Sequence, residues 1–255
     1  MSMRYAIFIV GTAGSGKSTL TGSFHSWLEM KRQNVIRVNL DPGVVDLPYD
    51  PDVDVREIVD IESVMRQYSL GPNGALIMSA DLIATNIEKI QSKIDRFGSD
   101  YVLVDTPGQM ELFAFRASGP FIINEMRCEG KAVLYLFDSA FSINPMNYVS
   151  NLFLSLAVQT RFMVPQLQVL SKTDLLSEDD LEKILSWSED EELLETSMEE
   201  EHQETKRLLN RYILDAFKAL QLDFSLIPVS STTSEGFIEL FGALQRLLTR
   251  GEETL

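Results

Sequence analysis

The sequence predicts an α/β fold in three layers, a mostly parallel central sheet covered by helices on both faces and carrying helical insertions. Three observations predict it. Short runs rich in β-branched and aromatic residues recur at Tyr5 to Val10, Val35 to Leu40, Tyr101 to Val104, Ala132 to Phe137, Gln168 to Leu170 and Leu226 to Val229, and read as buried strands. Between them lie stretches of helical period, such as Leu82, Ile83, Ile87, Ile90, Ile94 and Phe97, whose three- and four-residue steps place them on one helix face. No internal repeat and no proline- or serine-rich linker divides the chain, so one domain over 1–255 is expected.

The first strand runs directly into Gly11-Thr12-Ala13-Gly14-Ser15-Gly16-Lys17-Ser18, the Walker A pattern in the strand-then-helix context that it requires. Its glycines let successive backbone amides turn inward, where they and the N-terminus of the next helix cradle phosphates. Gly14, Ser15, Gly16, Lys17, Ser18 and Thr19 are the candidate phosphate site. Lys17 would reach the β- and γ-phosphates, and the Ser18 hydroxyl would serve a magnesium ion. The fold is then that of a three-layer P-loop NTPase.

Asp41 ends the second strand, close to where a nucleophile would approach a γ-phosphate. The sixty residues that follow, 41–100, exceed a simple crossover and are expected to be a helical insertion with Gly71, Pro72 and Asn73 between two helical patterns. Asp105 closes the third strand, where ligands of open α/β sheets bind, and is assigned to magnesium through water. Thr106-Pro107-Gly108-Gln109 follows; a glycine there lets a backbone amide approach the γ-phosphate while the loop pivots with nucleotide state.

After the fifth strand comes Ser171-Lys172-Thr173-Asp174, one residue away from the Asn-Lys-x-Asp motif that reads guanine. The Asp174 carboxylate would accept from guanine's ring NH and exocyclic amine, a donor pair that adenine lacks. Lys172 would lay its stem along the base. Ser230-Ser231-Thr232 follows the last strand, where the backbone at Ser231 would meet the guanine oxygen.

The formal charge is −16, which argues against a duplex-binding surface because phosphate backbones repel such a protein. The charge is uneven: Glu178 to Glu204 holds thirteen acidic residues against Lys183, a net of −12, which leaves −4 elsewhere. The segment 177–210 reads as an acidic helical insertion, either a docking surface for a basic partner or a solvated face. No apolar stretch approaches the roughly 20 residues that span a bilayer, the N-terminus lacks the pattern of a secretory signal, and Cys128 is a lone cysteine. A soluble, reducing, cytoplasmic setting is expected, with Cys128 as a small buried or half-buried side chain.

The Walker A segment, Asn39-Leu40-Asp41-Pro42-Gly43, Asp54-Val55-Arg56-Glu57, Gly71-Pro72-Asn73-Gly74 and Asp105-Thr106-Pro107-Gly108-Gln109, in this order over Met3 to Phe241, resemble the GPN-loop GTPases. The resemblance implies GTP and GDP as ligands, magnesium, and a homodimer of archaeal type in which each Gly71-Pro72-Asn73 loop reaches the partner's nucleotide. Asp41 resembles the family's catalytic or switch aspartate; with Gln109 it is assigned to the attacking water, and Asn73 to the γ-phosphate or released phosphate in trans. In eukaryotes the family is associated with RNA polymerase assembly, which implies protein partners. Ser171 and the acidic segment depart from the family's pattern.

Arg56 and Arg116 are candidates for a charge-stabilising finger or for ion pairs. His25, on the outer turns of the first helix, and His202 are expected to be non-catalytic. Two other readings use the same scaffold. A small-molecule kinase would need an arginine-rich lid and an acceptor pocket, and Asp174 speaks against it. A protein in which GTP gates metal delivery would need more Cys and His than one chain carries.

Overall fold

In a computed structural model of the chain, residues 4–200, 212 and 225–249 are described. Seven strands, β1 Tyr5–Gly11, β2 Val35–Asn39, β3 Val53–Asp54, β4 Tyr101–Asp105, β5 Gly130–Asp138, β6 Gln166–Ser171 and β7 Leu226–Pro228, form one sheet in the order β3-β2-β4-β1-β5-β6-β7. Every pairing is parallel. Helices with both ends among the described residues are α1 Lys17–Met30, α2 Ile61–Tyr68, α3 Pro72–Thr85, α4 Ile87–Asp95, α5 Met110–Ala114, α6 Ser118–Glu125, α7 Ser139–Ser142, α8 Pro145–Phe162, α9 Glu178–Glu189, α10 Glu191–Glu200 and α11 Phe237–Thr249.

Side chains of β1 divide alternately between the two faces, as a pleated strand requires. Ala6, Phe8 and Val10 join the larger core with α3, α4, α6 and α8. Tyr5, Ile7 and Ile9 face a second core built on α1 and α11, where Phe24 meets the Phe237 ring edge-on at 5.2 Å between centroids. Burial on both faces is why the strands read as continuous apolar runs rather than as alternating ones.

The segment between β2 and β4 holds the edge strand β3, a 3-10 turn at Val55–Glu57, and α2, α3 and α4. Gly71 is the extended N-cap of α3, and Pro72 occupies its first turn, a place where its missing N–H is not needed. The single helical face predicted from Leu82 to Phe97 is two helices: the Asn86 side chain donates to the Leu82 carbonyl at 2.8 Å and the chain breaks there. Phe97 falls past the end of α4 and is exposed.

The acidic segment is helical over α9 and α10, with 201–210 and His202 outside the described residues. Ile184, Trp187, Leu194 and Met198 turn inward, and Trp187 lies 5.7 Å from the Tyr148 ring of α8. Among the described residues, no helix is long and apolar enough to cross a membrane. Cys128 is half-buried.

Candidate functional site: a phosphate loop between the ends of β4 and β6

Chain direction in β1 and the cap of α1 shape the phosphate loop. Gly14 and Gly16 adopt φ of 81° and 91°, which glycine reaches without a Cβ penalty. α1 begins with no side-chain cap, so its first amides are open to an anion. Lys17 is buried, and its ammonium donates to the carbonyls of Gly11 and Thr12 at 2.9 Å and of Gly108 at 3.3 Å. Burial lowers its pKa, while Asp105, Asp41 and Glu111 pull the other way. A cleft of about 340 Å³ is lined by Gly14, Gly16, Lys17, Ser18, Thr19, Asp41, Val44, Thr106, Gly108 and Lys172.

At the β4 end, Asp105 is 1% exposed. Its Oδ2 accepts a 3.0 Å hydrogen bond from the Tyr49 hydroxyl, and its Oδ1 is buried with no hydrogen-bond partner among the described residues. Burial raises its pKa to about 6, against the Ser18 and Tyr49 hydroxyls and the Lys17 charge, which lower it. An orphaned carboxylate oxygen next to a P-loop serine and a lysine is costly in a dry site and is the donor set that a hard, oxygen-seeking cation takes. The residues present therefore fit magnesium.

Asp41 stands between the loop that follows β2 and the loop that follows β4. Its Oδ1 accepts from the Gly43 amide at 2.9 Å and its Oδ2 from the Gly108 amide at 2.8 Å. Asn39 holds this turn, with its Oδ1 accepting the Asp41 amide and its Nδ2 donating to the Asp41 carbonyl and to Asp54. Asp41, Gly108 and exposed Gln109 line a cavity of about 240 Å³ with Ala13, Pro42, Gly43, Leu76, Ala80, Pro107 and Leu112. Asn73 lies one helical turn before Leu76, is exposed, and is not in that lining.

Just past the end of β6, Lys172 adopts φ 60°, a left-handed conformation uncommon in residues other than glycine. That turn carries its ammonium to the Gly14 carbonyl and to Asp138 at the end of β5, both at 2.6 Å. The stem passes over Gly16, whose added Cβ would lie 3.6 Å from the Lys172 Cε. Ser171 is buried, with its hydroxyl 2.8 Å from the Ser15 carbonyl and 3.0 Å from the Phe137 carbonyl, so it ties β6 to the phosphate loop. Asp174 is exposed and accepts from the Ser230 hydroxyl at 2.8 Å. The same Ser230 oxygen takes the amides of Thr232 and Thr233, while no hydrogen bond among the described residues engages the Ser231 amide.

Tyr49, Asp138 and Ser230 were not singled out by sequence reasoning as site residues. The first two partner residues 56 and 34 positions away, separations that no local pattern reveals; Ser230 was visible only as a neighbour of Ser231. Arg56 is in an ion pair rather than free: it grips Asp54 and donates to the Val44 and Val45 carbonyls. Arg116 pairs with Asp81 at 3.7 Å. His25 is not on an outer face. It is 3% exposed, with Nε2 3.2 Å from the Val35 carbonyl, because that side of α1 packs on β2, and burial and the Arg37 charge lower its pKa. No group of three or more metal-ligating His, Cys, Asp or Glu occurs among the described residues.

A family model for a conserved hypothetical ATP binding protein matches residues 9–250. The GPN-loop GTPase PAB0955 of Pyrococcus abyssi is 36% identical over 242 residues, 92% of this chain and 93% of that one. The GPN-loop GTPase QQT2 of Arabidopsis thaliana is 31% identical over 240 residues, 93% of this chain; the chain spans only 62% of that longer relative. A crystal structure of PAB0955, a GTPase in apo form, superposes with a TM-score of 0.84 at 34% identity, covering 95% of this chain and 97% of that one.

Proposed function

Because the chain belongs to the GPN-loop GTPase family and is a P-loop GTPase, we propose that it hydrolyses GTP to GDP and phosphate with magnesium, as a homodimer whose geometry follows the nucleotide. The observation that carries this reading is the shared cavity of Asp41, Gly108 and Gln109 beside the phosphate loop. Water attacks the γ-phosphorus, the bond to the β–γ bridging oxygen breaks, and GDP leaves with that oxygen. Such a reaction asks the protein for position and charge more than for covalent chemistry.

Lys17 exchanges its carbonyl partners for phosphate oxygens, and Ser18 with Asp105, the latter through water, would hold magnesium. When bound, the ion would supply positive charge against the triphosphate. Asp41 and Gln109 orient the water, and the Asn73 of a second copy faces the γ-phosphate. The exposure of Asn73, away from its own chain's cavity, supports action across a dimer. Asp174, held by Ser230, reads the base, and Lys172 covers it; this favours guanine although the family model is described by ATP. In the cell the dimer acts as a nucleotide-state switch on other proteins, an assembly role that includes RNA polymerase assembly by family likeness.

The test is hydrolysis of GTP and ATP, with and without magnesium, by wild type and Asn73→Ala, with oligomer mass recorded in each state. GTP-selective turnover by a dimer, lost in Asn73→Ala while binding persists, is expected. Turnover by a monomer indifferent to Asn73 would overturn the dimer reading.

A further inference from the structure

The contact between Tyr49 and Asp105 has no part in the chemistry above, yet its surroundings are built. Tyr49 is 9% exposed. On one side it lies against Gly22 of α1, where an added Cβ would come within 3.2 Å of the Tyr49 Cβ and 3.5 Å of its Cδ1. On another side the Arg37 guanidinium stands 5.7 Å from the ring centroid, itself paired with Asp52 at 3.3 Å. A glycine notch, a cation and burial leave the ring little choice of rotamer, and the hydroxyl ends on Asp105 Oδ2 at 3.0 Å. With Oδ2 engaged, the carboxylate presents Oδ1, the oxygen left unpartnered in the buried site.

We propose that Tyr49 is the positioning residue of the magnesium site: its hydroxyl fixes the Asp105 carboxylate so that Oδ1 serves the metal, and it couples the β2–β3 loop, which also carries Asp41, to metal occupancy. The proposal rests on the magnesium-dependent reading above. Asp105 reaches the metal through water, so it is itself an outer-shell partner of the kind whose loss costs about 10- to 100-fold in metal affinity, and Tyr49 sets its orientation by holding the second oxygen.

The experiment follows release of a fluorescent GDP analogue from the full chain as magnesium is titrated, for wild type, Tyr49→Phe and Gly22→Ala. In Tyr49→Phe the magnesium concentration for half-maximal slowing of release is expected to rise about tenfold or more, while the rate in excess chelator stays within about twofold of wild type. Gly22→Ala, which keeps the hydroxyl but crowds the ring, is expected to shift the midpoint in the same direction by a smaller factor. An unchanged or lowered midpoint in Tyr49→Phe overturns the proposal, the latter because the hydroxyl would then be competing with the metal. Equal acceleration with and without magnesium also overturns it, since that marks a structural role only. Wild type that releases GDP without regard to magnesium would instead sink the magnesium reading itself.

Discussion

Asp41 and Gly108, 67 residues apart, are joined by a 2.8 Å hydrogen bond from the glycine amide to the aspartate Oδ2. The amide is the group that, on the function proposed above, the Asp-Thr-Pro-Gly-Gln loop would offer to a γ-phosphate. A triphosphate would then displace the carboxylate, and a diphosphate would not.

Removing that carboxylate separates binding from turnover. In Asp41→Ala the affinity for a non-hydrolysable GTP analogue is expected to rise about tenfold relative to GDP, since one charge-assisted hydrogen bond of about 1.5 kcal/mol no longer competes. Hydrolysis is expected to fall at least about 100-fold. Fluorescence titration and phosphate release measure the two effects, and an unchanged affinity ratio would refute competition for the amide.

The base site is testable by exchanging an acceptor for a donor. Asp174→Asn replaces one carboxylate oxygen with an amide N–H, which no longer suits the guanine amine but suits the carbonyl that xanthine carries in its place. GTP affinity is expected to drop at least about tenfold, one missed polar contact at roughly 1.4 kcal/mol, with XTP affinity rising. Ser230→Ala, which frees the Asp174 carboxylate, is expected to cost about tenfold for GTP, read by competition binding.

Ser171 touches the phosphate loop, not an open face of the base site, so its loss has a distinct signature. Ser171→Ala strands the Ser15 and Phe137 carbonyls and is expected to lower stability by about 1–2 kcal/mol in urea unfolding. GTP and ATP affinities should fall by the same factor. A changed GTP-to-ATP ratio would mean that Ser171 meets the base.

Asp105 makes the metal-free protein sensitive to acid in an unusual direction. Burial raises its pKa from 3.8 to about 6. With the folded value above the unfolded one, the favourable contribution is fully present below about pH 4 and is lost as pH rises through 6. Two pKa units correspond to about 3 kcal/mol. Asp105→Asn does not titrate, so its advantage over wild type is expected to shrink by about that amount between pH 7 and pH 4, measured by denaturant unfolding without magnesium.

The parts legible in the sequence are those dictated by local chemistry. The phosphate loop needs glycine where φ is positive, and Gly14 and Gly16 supply it; the six longer strands are apolar because both of their faces are covered. The two-residue β3 carries too few residues for a period. The break at Asn86 is invisible to hydrophobic spacing, because Ile83 and Ile87 keep the pattern across it. The sequence sets His25 on the outer turns of α1, yet it is buried with Nε2 against a β2 carbonyl. Tyr49 was hidden for a similar reason: its meaning lies in Asp105, which only the fold brings near.

The strand order has one more consequence. Asp105 ends β4 and Ser230 follows β7, with β1, β5 and β6 between them, and neighbouring strands lie about 4.8 Å apart. The four steps make the sheet a gauge of about 19 Å whose divisions are hydrogen-bonded ladders. Neither end can approach the other without breaking a ladder, so the sheet fixes the spacing between the Asp105 end and the Ser230 end, and motion is left to the connections above it.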